Sequence, residues 1–174
     1  MTEPARAQGS AAPLPQGIDD DQPARRIQAI SEAVAAGDAR ALAPLLERLS
    51  LEKDTQVMAA LLLAIGRLGS QKELPLLAKF IQHPDPRVRA NVIEALYCLD
   101  TPVSLPLIVP FLEDPDNRVR ANAALALKRL GLDTALEVVR KMVGSPHLWM
   151  RASGVYALGL FDAEVARPIL EGCR

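Results

Sequence analysis

Arg89, Arg120 and Arg151 recur at intervals of 31 residues, and the loop carboxylates Asp85 and Asp116 stand four positions before the first two. Guanidinium groups at such spacing support two chemistries: a ladder of ion pairs, or a row that grips phosphate. Each arginine falls in the first turn of a helical segment, where the positive end of the helix disfavours an unpaired cation by about 0.3–1 kcal/mol. A repeated residue in an unfavourable place needs a repeated partner. The sequence therefore predicts a structural ladder built from Asp85, Arg89, Asp116, Arg120 and Arg151. Arg87 and Arg118, one helical step away, are the better candidates for a phosphate row, and Asn91 and Asn122 read as loop-bonding side chains.

Other reactive side chains are sparse. His83 and His147 are the only histidines, and neither is followed by glutamate. Cys98 and Cys173 stand far apart in no metal or redox spacing, so no disulfide framework is implied and a reducing compartment is compatible. Cys98 lies in a helix with no histidine placed by sequence to activate it, and reads as a small packing residue. No glycine-rich phosphate loop is recognisable. The expectation is a chain without catalytic, cofactor or metal residues.

The elements that position the arginines form an internal repeat. His83 to Asp100 is written again from Glu113 to Gly131, with Pro84, Pro115 and Pro146, Ala90, Ala121 and Ala152, and Leu96, Leu127 and Leu158 in register. Full repeats are read at 38–69, 70–100, 101–131 and 132–162, each as two amphipathic helices joined by about five residues. Pro23 opens a half repeat at 23–37, and 163–174 has the first-helix pattern again. Gly69, Asp100, Gly131 and Asp162 punctuate the repeats and are expected to end helices in the left-handed conformation. Asp54, Asp85 and Asp116 are expected to cap the second helices; in the fourth repeat His147 holds that place, and Ser145 before Pro146 is the alternative cap. Residues 1–22, rich in proline and glycine and ending in Asp19, Asp20 and Asp21, read as a disordered leader.

Composition agrees with closely packed helices: 49% of residues are apolar but only 3% aromatic. A net charge of −1 is no polyanion-binding signature. No apolar run approaches the ~18 residues of a membrane span and no signal-peptide pattern opens the chain, so the expected location is cytoplasmic.

HPDPRVRANVIEAL and DPDNRVRANAALAL, with their Asp-Pro loop, Val-Arg-Ala turn and Ala-Leu-rich helix, resemble the HEAT repeat in the short form of the phycobilisome lyases. The resemblance covers Pro23 to Arg174; Met58 in the arginine position and His147–Leu148 depart from it. It implies an all-α, right-handed α-solenoid of about four and a half helical hairpins, whose second helices line a concave binding surface. Helix positions left over from the core then supply that surface: Leu63, Glu94, Leu125 and Tyr156, with Gly66, Tyr97, Lys128 and Gly159, and Arg67 and Arg129 beside them. Trp149 is a further candidate contact.

Mixed apolar, aromatic and charged residues suit a protein-binding face more than a nucleic-acid groove, which wants a basic stripe with aromatics. The expected function is a non-catalytic protein-interaction scaffold or regulatory module with a protein partner. The alternatives are a nucleic-acid-binding HEAT module, of the base-excision type, and a lyase-like accessory factor. Because 163–174 supplies a first helix without its second, the chain is also expected to continue into further sequence or to self-associate at that edge.

Overall fold

The computed structural model describes residues 16–129, 134–159 and 161–172, and every regular element among them is helical. Helix α1, Pro23–Ala36, starts on a proline whose missing N–H the first turn would leave unpaired anyway, and ends at Gly37, where φ of 63° is left-handed. Hairpins follow: α2 (Leu42–Leu51) with α3 (Thr55–Leu68), α4 (Leu74–Ala78) with α5 (Pro86–Cys98), α6 (Leu105–Ile108) with α7 (Asn117–Arg129), and α8 (Thr134–Val143) with α9 (Leu148–Leu158). Helix α10 is Ala163–Glu171.

The first helices of the second and third hairpins are broken into short pieces. Three-residue 3₁₀ turns, Gln71–Glu73 and Pro102–Ser104, precede α4 and α6, and Val109–Glu113 continues α6 as a further 3₁₀ turn. Pro110 has no amide to donate to the carbonyl of residue 106, so the α-helical pattern cannot run on. The second helices stay whole and stack in order, α3 between α1 and α5, and α7 between α5 and α9. One continuous core runs through the stack. Leu45, Leu61, Ile65, Leu77, Leu96, Ile108, Leu127 and Leu158 are all fully buried along it.

Small residues set how closely the second helices approach. A Cβ on Gly66 would lie 2.4 Å from the Cα of Ala95, so α3 and α5 touch backbone to backbone there. Gly66 thus belongs to the seam between repeats and is buried, not on the concave surface expected for it. Gly154 allows a close approach within a hairpin instead, since a Cβ there would lie 2.8 Å from the Val143 amide nitrogen and 2.9 Å from the Met142 Cβ of α8.

Several expectations change. Of the segment read as a disordered leader, 16–22 is described and folds as a turn against α1. Ile18 is 4% exposed, and Asp20 Oδ1 accepts a bond from the Gln22 amide; residues 1–15 lie outside the described residues. Among the expected left-handed helix ends that are described, only Asp100 has positive φ (47°). Gly69 is extended, because the Glu73 carboxylate and the Ser70 side chain form a capping box immediately after it. Asp162 is extended as the residue before α10, and Gly131 lies outside the described residues.

The arginine ladder and the candidate protein-binding face

Asp54, Asp85 and Asp116 each accept bonds from amides of the following helix's first turn, at 2.8–3.1 Å. That capping role determines where the arginines find partners. Asp85 takes the neighbouring Arg87 guanidinium at 2.6 Å, a contact that, with the Arg87 amide, holds its carboxyl well below the usual range. Asp85 is therefore not the partner of Arg89, and Asp116 is bonded to backbone.

Arg89 reaches instead to Asp114, in the loop of the next hairpin. Its Nε and Nη2 both donate to that carboxylate at 2.9 Å, while Nη1 donates to the carbonyls of His83 and Pro84 in its own loop. One guanidinium thus ties two adjacent loops. Arg26 does the same at the start of the stack, donating to Glu52 at 3.0 and 3.1 Å and to the carbonyls of Asp20 and Asp21. Arg120 and Arg151 keep the own-loop half of the pattern: Arg120 Nη1 donates to the Asp114 carbonyl, and Arg151 Nη1 to those of Ser145 and Pro146.

The acceptor position is itself a column. Asp20, Glu52, His83, Asp114 and Ser145 each accept a bond from the amide two residues on, at 2.8–3.2 Å. Ser145 thus shapes its loop in this way; no side-chain cap is bonded to α9. A second ladder joins the helices. Asn91 donates to the Ala59 carbonyl and Asn122 to that of Ala90, each one repeat back, so these side chains bond a neighbouring helix and not a loop.

Of the expected binding residues, Leu63, Glu94 and Leu125 are half-buried, with Leu125 and Tyr97 packed against the core, and Tyr156 is 67% exposed. Arg67 donates to Glu94 at 2.8 Å across the α3–α5 seam. Lys128 lies 4.1 Å from the centre of the Phe161 ring. The Arg129 side chain lies outside the described ones. Glu94 and Tyr156 do come together: with Arg118, Asn122, Ala152 and Ser153 they line a groove of about 400 Å³ across α5, α7 and α9.

Helix α9 carries the apolar part of this surface. Trp149 is 51% exposed and stacks on His147, with ring centres 5.3 Å apart. Ala152 and Val155 are also exposed, although the residues in register with them, Ala59, Ala90 and Ala121 and Leu62, Ile93 and Ala124, are at most 4% exposed under the next second helix. From the sequence alone Val155 stands out neither for the core nor for the binding face, because the pattern of α9 alone does not show which neighbour covers that register.

A family profile, HEAT repeats, matches residues 49–118 and 105–174, more than half of the chain. The chain belongs to the HEAT repeat family. No curated protein matches the sequence. Among solved structures, the complex of CpcE and CpcF of phycocyanin lyase from Nostoc sp. PCC7120 is similar, with 20% identity and a TM-score of 0.49; the match covers 91% of this chain and 81% of that one. In this HEAT repeat protein no described helix is long and apolar enough to cross a membrane.

Proposed function

We propose that this HEAT repeat protein is a non-catalytic interaction scaffold or regulatory module that binds a helical segment of a partner protein along α9. The exposure of Ala152, Val155 and Tyr156 carries this reading, because the same positions of α3, α5 and α7 are covered, or half covered, by a neighbouring helix. A helix laid there would bury them as α5 buries Ala59 and Leu62. Trp149 and Tyr156 would supply anchors of the kind that dominate interface energetics, and the Glu94–Arg118 groove a polar rim. Members of this family serve as protein-interaction scaffolds, which supports the reading.

The test is capture of partners on the immobilised chain, followed by titration calorimetry with the partner obtained. Trp149→Ser and Tyr156→Ser should each weaken binding by about 2 kcal/mol or more while leaving the melting temperature within a degree or so of the parent, because both side chains are already wet. Unchanged affinity in both variants would move the interface elsewhere. Affinity for duplex DNA that collapses with added salt would replace a protein partner by a nucleic acid.

A further inference from the structure

At three interfaces of the stack, a residue in the first turn of a second helix and one in the following loop keep matched character. Arg26 faces Glu52, and Arg89 faces Asp114. At the register between them, Met58 stands in place of the guanidinium and His83 in place of the carboxylate, so both members of the pair are replaced together. The next interface breaks the match, for Arg120 is retained while the loop residue is Ser145.

The consequence is visible at the guanidinium. Arg120 Nη1 donates to the Asp114 carbonyl, but Nη2 is buried with no hydrogen-bond partner; it is the one such side-chain atom among the described residues. The corresponding Nη2 atoms of Arg26 and Arg89 donate to carboxylates. Ser145, 8% exposed, accepts the His147 amide through Oγ as Asp114 accepts the Asp116 amide through Oδ1. It therefore stands where the stem of the acid stands elsewhere, without the anionic oxygens. A second guanidinium serves the same loop, since Arg151 donates to the Ser145 and Pro146 carbonyls and shows no carboxylate partner among the described residues. Gly144, Pro146, His147 and Leu148 around it are exposed, so the loop can be reached from solvent.

We propose that Arg120, Ser145 and Arg151 form an oxyanion site that takes a phosphate group in place of the carboxylate found at the other interfaces. A buried guanidinium donor without a counter-charge, with a second guanidinium on the same loop, is the chemistry that recognises phosphate. The group has two sources. Inorganic phosphate can bind as a free ion, or Ser145 can carry a phosphoester. In the second case the Oγ attacks the terminal phosphorus of a nucleoside triphosphate on a protein kinase. An O–P bond forms, the bond to the nucleoside diphosphate breaks, and the hydroxyl proton passes to a base of the kinase.

Thermal melts of the full chain in phosphate, against chloride at equal ionic strength, provide the test. Wild type should gain about 5 °C or more at a hundredfold excess over Kd, in a saturable way. Ser145→Asp, which supplies the carboxylate itself, should melt above wild type and lose the phosphate response, and Arg120→Gln should lose it too. Intact-mass analysis of the chain from its native source identifies the ester by the mass of one phosphoryl group on the Ser145 peptide. The proposal is overturned if wild type responds to phosphate no more than to chloride and native Ser145 is unmodified.

Discussion

Arg26 and Glu52 meet in a two-bond ion pair at 3.0 and 3.1 Å, with side chains only 8% and 2% exposed, although 26 positions separate them. Glu52 also accepts Arg48 from the preceding turn and the amides of Lys53 and Asp54. A buried charge so fully satisfied is costly to break on one side only, because the partner is left unpaired away from water.

Glu52→Ala should therefore destabilise the chain by about 3–5 kcal/mol. Asp85→Ala removes a helix cap and an exposed contact to Arg87, and should cost about 1 kcal/mol. Urea denaturation of the two variants separates the roles. Equal losses would mean that the loop carboxylates act as caps alone and that the pairs between repeats contribute nothing.

The same pair predicts an acid-sensitive stack. Burial pushes the Glu52 carboxyl up, but the Asp54 amide, the Arg48 and Arg26 guanidiniums and the Lys53 amide outweigh it, and the carboxyl is held below its ordinary value. The unfolded chain then binds more protons in that window. The contribution of Glu52 is fully present above the ordinary glutamate value of about 4.3 and is lost as pH falls through the lower folded value. The urea midpoints of wild type and Glu52→Gln should thus converge as pH drops below about 4. A gap that is constant with pH would show that Glu52 titrates alike in both states.

Gly66→Ala tests the seam. The added methyl would fall 2.4 Å from the Cα and 2.5 Å from the Cβ of Ala95, and helix backbone cannot yield as a flexible side chain can. Destabilisation of about 1–3 kcal/mol is expected, above the helix-propensity gain of ~1 kcal/mol for replacing glycine by alanine. A variant more stable than the parent would show that α3 and α5 can part without loss.

The repeat, its hairpins and the caps at Asp54, Asp85 and Asp116 were legible in the sequence, because each depends on residues within a few positions of one another. Apolar side chains at helical spacing must be buried somewhere, and an aspartate just before a helix lies beside free amides wherever the helix packs. The partners of Arg26 and Arg89 were not legible in that way. They lie 26 and 25 residues ahead, in a loop brought close only when one hairpin stacks on the next. A trace of them existed in the alternation of Glu52, His83, Asp114 and Ser145 against Arg26, Met58, Arg89 and Arg120, but it has meaning only once the stacking offset is known. The exposure of Val155 has the same origin. Its sequence position is a core position, and whether that position is buried depends on a neighbouring helix, not on the helix that carries it. Local pattern therefore determined the hairpins, while the rigid-body placement of one hairpin on another decided which charges pair and which apolar face of α9 stays open.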